Sequence, residues 1–264
     1  MRTTKPIANK QEILAFLETD RLYAAYAIGD LEPEFFEQCQ WWSTVESEGG
    51  TSGRLESLVL GFGGLEPPAL FLMGDLAVLE VTLAEAKLPG KVCLTCRQEH
   101  LRAAEKAYAM ERPVPMWRMV LRRELFRPEK GRCVRLGVKD LARLGEFYAG
   151  GGGEAYSPRQ VELGVFYGTE VKDGLVSVAG THLVSSTYSI GAVGNVFTVP
   201  AWRGHNYAAV TTSAVVSELL EQGIGTVVLN VSQANAEAIR VYERLGFECY
   251  CPFIEGLGVR RPNR

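Results

Sequence analysis

Val196–Phe247 reads VFTVPAWRGHNYAAVTTSAVVSELLEQGIGTVVLNVSQANAEAIRVYERLGF. It divides into a strand, a turn, an apolar helix, a second strand and an amphipathic helix ending in Gly-Phe. Pro200 must end the first strand, and the turn Arg203-Gly204-His205-Asn206-Tyr207-Ala208 then stands directly before a helix running to about Gln222. A donor-rich turn at a helix N-terminus is a device for holding phosphate, because unpaired N–H groups and the helix dipole both face the anion. The helix carries Ala208, Ala209, Val210, Ala214, Val215, Val216, Leu219 and Leu220, so it is apolar nearly all round and predicts a packed element whose N-terminus has a fixed aim. An ordinary strand-to-helix turn is the plainer alternative.

Downstream, Gly225–Val231 predicts a strand and Asn235–Leu245 a helix. Offsets of four and seven bring Asn235, Ile239 and Tyr242 close to one face, with Tyr242 turned inward. Asn235 suits the N-cap, Arg240 and Arg244 the C-terminal half, and Gly246 the left-handed residue that ends the helix.

Working outward, Arg127-Pro128-Glu129-Lys130-Gly131 suits a linker, giving an expected division into domains 1–127 and 131–264. In the second, Cys133–Leu136 predicts a strand, and Asp140 an N-cap for a helix to about Ala149. Gly150–Gly153 is a four-glycine run that either closes as a lid or merely connects. Arg159–Leu163 predicts a short helix. Val165–Val171 and Leu175–Ser185 pair across Lys172-Asp173-Gly174, a strong hairpin signal, and Gly191–Val199 follows as a strand. His182 falls on an apolar strand face, as an interior residue or a proton acceptor.

The first domain alternates helices at Lys10–Leu17, Arg21–Ile28, Asp75–Ala86 and Glu99–Met110 with strands at Leu55–Phe62, Ala69–Met73 and Lys91–Cys96, then an extended Met116–Leu125. Gly49–Gly53 reads as a hairpin turn or mobile loop. The fold class is therefore mixed α/β (α+β) in two domains.

Composition narrows the classes of function. Hydrophobic residues make up 47 % of the 264 and charged residues 22 %, ordinary globular proportions. A net charge of −3 argues against a broad nucleic-acid footprint. The N-terminus lacks the apolar run of a signal peptide and no stretch is long enough to span a bilayer, so no membrane partner and a cytoplasmic location are expected. Six cysteines are scattered, and Cys93-Leu-Thr-Cys96 is a lone CxxC without a partner pair, read as small buried strand residues before zinc or redox chemistry. No metal is expected.

The order strand, RxxNxA turn, helix, strand, then NxxxxxxYxxxGF resembles the GCN5-related N-acetyltransferase superfamily. In that family the turn reads [Q/R]xxGx[G/A] and cradles the pyrophosphate of acyl-CoA. Arg203 and Ala208 fit its first and last places and Asn206 replaces the middle glycine; Asn is the non-glycine residue most tolerant of positive φ. The resemblance covers about Cys133–Phe253 and is nearest the FR47-like branch, whose strand-four signature looks like Gly194-Asn195-Val196-Phe197-Thr198-Val199-Pro200. It implies a mostly antiparallel mixed sheet flanked by helices, with acetyl-CoA or another acyl-CoA as co-substrate. The implied cofactor-binding residues are Val196, Phe197, Thr198, Arg203, Gly204, His205, Asn206, Tyr207, Ala208, Ala209 and Asn235, and the implied general acid is Tyr242.

Asn230 stands where many members hold a catalytic glutamate, leaving Glu154, Glu170 and His182 as candidate bases. The implied activity is N-acetyl transfer to a small-molecule amine or amino acid, with a non-catalytic CoA-binding sensor or scaffold as the rival. The first half is read as a degenerate copy of the same fold, shaping the acceptor site or an interface rather than binding a second cofactor. A homodimer stays open.

Overall fold

The computed structural model describes residues 2–46, 54–153, 155–172 and 174–262. Contacts gather the chain into two compact units, Met1–Trp117 with Cys251–Arg264, and Arg118–Tyr250. The expected break at 127–131 differs from this division, and the physical reason is a pair of long strands. β6 (Tyr108–Leu121) and β12 (Phe247–Arg260) each begin in one unit and finish in the other. Apolar alternation in a sequence shows a strand but not which sheet accepts its second half.

In the first unit the order is β1 (Arg2–Pro6), α1 (Lys10–Leu17), α2 (Ala25–Gly29), α3 (Pro33–Phe36), β2 (Cys39–Glu46), β3 (Ser57–Phe62), β4 (Ala69–Gly74), α4 (Leu76–Glu85), β5 (Lys91–Arg97) and α5 (Leu101–Ala107). Its strands lie side by side as β1-β2-β3-β4-β5-β12. All neighbours are antiparallel except β4 and β5, which run parallel from Ala69↔Cys93 to Phe71↔Thr95. A core of Val59, Leu70, Leu72, Leu79, Leu83, Val92, Leu94 and Tyr108 sits between this sheet and α4 and α5.

Three expectations change here. The helix expected over Arg21–Ile28 shortens to α2, because Glu18–Asp20 turns as a 3-10 helix and the side chain of Asp20 accepts from Tyr23 N at 3.4 Å. The helix expected over Glu99–Met110 ends at Ala107, where Tyr108 becomes extended, buries its ring and donates its hydroxyl to Pro89 O at 2.9 Å. Cys93 is exposed while Cys96 is buried, since residues three apart on a strand point to opposite faces. Burial also pushes both thiols up, Cys96 to about 12, so neither is a ready thiolate. The Gly49–Gly53 segment lies outside the described residues.

The second unit repeats the plan: β7 (Val134–Leu136), α6 (Leu141–Ala149), α7 (Pro158–Leu163), β8 (Phe166–Val171), β9 (Gly174–Ser185), β10 (Ile190–Thr198), α8 (Tyr207–Glu221), β11 (Thr226–Ser232) and α9 (Ala236–Leu245). Strands β7 to β11 lie in sequence order, antiparallel except for the parallel pair β10 and β11. The hairpin of β8 and β9 closes at Val171↔Gly174 as expected, with Asp173 outside the described residues. Helix α8 is buried along Ala209–Ser213, Val215, Val216, Leu219 and Leu220, as its all-round apolar pattern requires. Asp140 does not cap α6. Its Oδ2 accepts from Gly137 N at 3.0 Å, and its Oδ1 receives Arg143 at 3.4 Å.

The four glycines after α6 are used for packing. Gly151 and Gly152 take φ of 137° and 70°, and a Cβ on Gly152 would meet the Phe197 ring at 2.5 Å. Only a residue without a side chain lets the backbone approach that ring so closely. Among the described residues, no helix is long and apolar enough to cross a membrane, and no group of three His, Cys, Asp or Glu is placed to hold a metal ion.

Candidate active site

The site begins where β10 and β11 part. Their parallel ladder runs from Ile190↔Thr226 to Val193↔Leu229 and stops, although β10 continues to Thr198 and β11 to Ser232. The cause lies in β10. Its pairing with β9 shifts register between Ala192 and Val193 and again between Gly194 and Phe197, and Asn195 inside the second shift takes φ 51°. Such a bulge bends a strand away from its neighbour. Burial records the result: Ile190–Val193 are buried, while Val196, Phe197 and Thr198 are half-buried beside the opening.

Past Thr198 the chain makes a 3-10 turn at Pro200–Trp202 and enters the donor-rich turn. Arg203 is exposed and reaches back, donating Nε to Thr198 O at 3.3 Å. Gly204 takes φ 78° with open space where a Cβ would stand. His205 is exposed. Its Nδ1 lies 3.0 Å from Arg203 O, and its ring stacks on Tyr207 at 5.6 Å between centroids. Asn206 adopts φ 67° and ψ 7°, the left-handed conformation that its place in the pattern demands of a glycine. Its side chain does not cap α8; instead Oδ1 accepts from Arg244 Nη2 of α9 at 2.8 Å. Tyr207 and Ala208 open α8 half-buried and Ala209 is buried, so the first N–H groups of a fixed helix face outward from this turn.

Helix α9 supplies the remaining expected residues. Asn235 is its N-cap, with Oδ1 accepting from Ala238 N at 3.1 Å, and Gly246 ends it at φ 101°. Tyr242 is buried, its ring edge-on to Phe247 at 6.0 Å. The Arg244–Asn206 hydrogen bond ties the helix of Tyr242 to the N-terminus of α8. Helix α9 and the turn at Asn206 are thus joined, with Asn235 engaged in capping.

The candidate bases fare differently. Asn230 lies on β11 one residue past the last parallel pair. Glu170 is ion-paired with Arg143 at 2.6 Å. Glu154 is outside the described residues. The His182 imidazole lies against Gly194, where an added Cβ would meet Nε2 at 2.2 Å, and burial pushes its pKa down to about 4. A base that weak holds a proton poorly.

Several contributors escape sequence reasoning. Tyr148 of α6 donates its hydroxyl to Asn195 O at 2.5 Å. Gln160 of α7 accepts from Asn195 Nδ2 at 3.0 Å. Arg244 reads as a charge suited to a helix C-terminus, and nothing in its spacing pairs it with a residue 38 positions earlier. No local signal marks these contacts.

Solved structures share this fold. The chain aligns with a GCN5-related N-acetyltransferase from Sphaerobacter thermophilus at TM-score 0.67 and 15 % identity, over 98 % of this chain and 96 % of that one. It also aligns with a tandem GNAT protein from the clavulanic acid biosynthesis pathway at TM-score 0.59 and 14 % identity, over the full length of both. The fold is that of the GCN5-related N-acetyltransferases. Within it, residues 172–253 match the family model described as FR47-like protein. A curated relative, the mycothiol acetyltransferase of Catenulispora acidiphila, is 31 % identical over 123 residues, which are 46 % of this chain and 35 % of that protein. The match thus spans about a third of the relative's length. The two-unit plan and the tandem GNAT neighbour agree, and the FR47-like match lies wholly in the second half.

Proposed function

We propose that the second unit is an acyl-CoA-dependent N-acyltransferase that transfers acetyl from acetyl-CoA to the amine of a small molecule or amino acid. One observation carries this reading. The parallel ladder opens at Val193↔Leu229, and the freed strand leads into a turn where Gly204 and Asn206 both take positive φ at the mouth of α8. An opened strand edge suits a ligand whose amides imitate a strand, and the turn beyond it suits a diphosphate.

Each residue then has a task. The N–H groups from Gly204 to Ala209 hold the pyrophosphate, with Arg203 beside them as a cation. The backbone of Val196, Phe197 and Thr198 pairs with the pantetheine amides, and one of these N–H groups donates to the thioester carbonyl. As the neutral amine attacks the carbonyl carbon, that N–H stabilises the oxygen that gains charge. When the carbon–sulfur bond breaks, the Tyr242 hydroxyl protonates the departing thiolate, and the amine nitrogen loses its proton to solvent or a base of the acceptor.

A coenzyme A sensor or scaffold without turnover is the second reading, favoured by Asn230 at the fork and by the engaged Glu170. A thiol-release assay over a panel of small amines and amino acids separates the two. Acceptor-dependent release supports the enzyme; tight acetyl-CoA binding with no release for any amine sinks it.

A further inference from the structure

Asn195 is held from three sides. Its carbonyl accepts from the Tyr148 hydroxyl at 2.5 Å, its Nδ2 donates to Gln160 Oε1 at 3.0 Å, and the same Nδ2 lies 3.5 Å from Thr181 O. Tyr148 is itself fixed, buried and stacked on Tyr156 at 4.5 Å between centroids. Gln160 Oε1 also accepts from Ser157 N at 3.0 Å, which ties the contact to the start of α7. Asn tolerates the left-handed region better than other non-glycine residues, and these contacts hold Asn195 there at φ 51°.

The first unit offers an internal contrast. Tyr23 donates its hydroxyl to Leu72 O on β4 at 2.9 Å, one residue past the last parallel pair of its own unit. There β4 pairs with β3 from Ser57↔Gly74 to Phe62↔Ala69 without a register shift. A tyrosine hydroxyl thus bonds a strand carbonyl in both units, and beside the bulged strand the side-chain hold of Gln160 on Asn195 accompanies it.

We propose that Tyr148 and Gln160 are positioning residues: by fixing both the carbonyl and the side chain of Asn195 they set the bulge, and so aim the N–H of Val196 into the opening between β10 and β11. This rests on the acyl-transfer reading above, in which that N–H donates to the thioester carbonyl. Removing the Tyr148 hydroxyl leaves the ring stacked but frees the Asn195 peptide to rotate. The Val196 N–H then loses its aim while the turn at α8 keeps its hold on coenzyme A.

The test uses acetyl-CoA labelled with carbon-13 at the thioester carbonyl and bound to the full chain. In the wild type, infrared difference spectra show the carbonyl band at lower frequency than in free acetyl-CoA. Tyr148→Phe and Gln160→Leu lose most of that shift and lower kcat by about 10- to 100-fold, with acetyl-CoA affinity within about threefold. Gln160→Glu, which keeps the accepting oxygen, restores both, and Tyr23→Phe alters neither. A Tyr148→Phe protein with the wild-type band and rate overturns the proposal, as does an equal loss in Tyr23→Phe. A wild-type protein that does not bind acetyl-CoA overturns the acyl-transfer reading itself.

Discussion

The turn after β4 and the turn after β10 hold the same place in the element order of their units, yet the helix N-termini that follow them are treated differently. At the first, Asp75 turns its own carboxylate into the N-terminus of α4, accepting from Ala77 N at 2.9 Å and Val78 N at 3.1 Å. The dipole and two orphan donors are answered from within the chain. Beside it, where β4 and β5 part, Arg97 lies over the Tyr23 ring at 4.7 Å and is ion-paired with Asp20. At the second, Asn206 turns away to Arg244 and does not cap the N-terminus of α8. The first turn is thus answered by a carboxylate of its own chain, and the second, on the acyl-transfer reading proposed above, is open to an anion.

The helices that follow repeat the contrast. α5 reads LRAAEKA and has no tyrosine, whereas α9 reads AEAIRVYERL and carries Tyr242. Tyr242→Phe should give the largest effect, lowering kcat by about 10- to 1000-fold with little change in acetyl-CoA affinity. Steady-state kinetics beside a binding titration check this, and an unchanged rate would show the ring to be packing only.

Acid should come next. Burial pushes His182 down to about 4 from an ordinary 6.5, so on acidification the unfolded chain takes up a proton that the folded chain refuses. The contribution is complete above pH 6.5 and lost as pH falls toward 4, amounting to about 3 kcal/mol. Denaturant unfolding at pH 7 and pH 4.5 should show a smaller fall for His182→Gln than for wild type. His100 in the first unit is pushed down by burial as well, so His100→Gln should flatten the profile in the same direction.

Asn206→Asp gives the second turn the charge of the first. Repulsion of the pyrophosphate should weaken acetyl-CoA binding by about tenfold, read by calorimetry, with the fold retained. An unchanged dissociation constant would break the contrast between the turns. The smallest effect belongs to Asp75→Ala, which removes a cap worth about 1 kcal/mol and should leave binding at one acetyl-CoA per chain. A second equivalent appearing in that variant would show that the carboxylate alone had closed the first site.

Much of this was legible beforehand because it is local. Asn235 and Gly246 bracket α9 as expected, since caps are decided by φ and by hydrogen bonds within one turn. α1 matches its apolar spacing over Lys10–Leu17. The left-handed Asn206 follows from a pattern that asks for glycine and a residue that tolerates positive φ. The strand β1 escaped notice because RTTKP is mostly exposed and shows no apolar alternation; its place comes from pairing with β2.

By itself, then, the sequence determined the order of strands and helices from β7 to α9, the donor-rich turn and the inward Tyr242, because each depends on periodicity or on backbone preferences over a few residues. Only the tertiary structure decided that β6 and β12 divide between units, that Tyr148 and Gln160 grip Asn195, and that Asp75 closes one helix N-terminus while Arg244 draws Asn206 away from the other. Those contacts join residues tens of positions apart, or depend on which way one short side chain turns, and neither leaves a trace in local spacing.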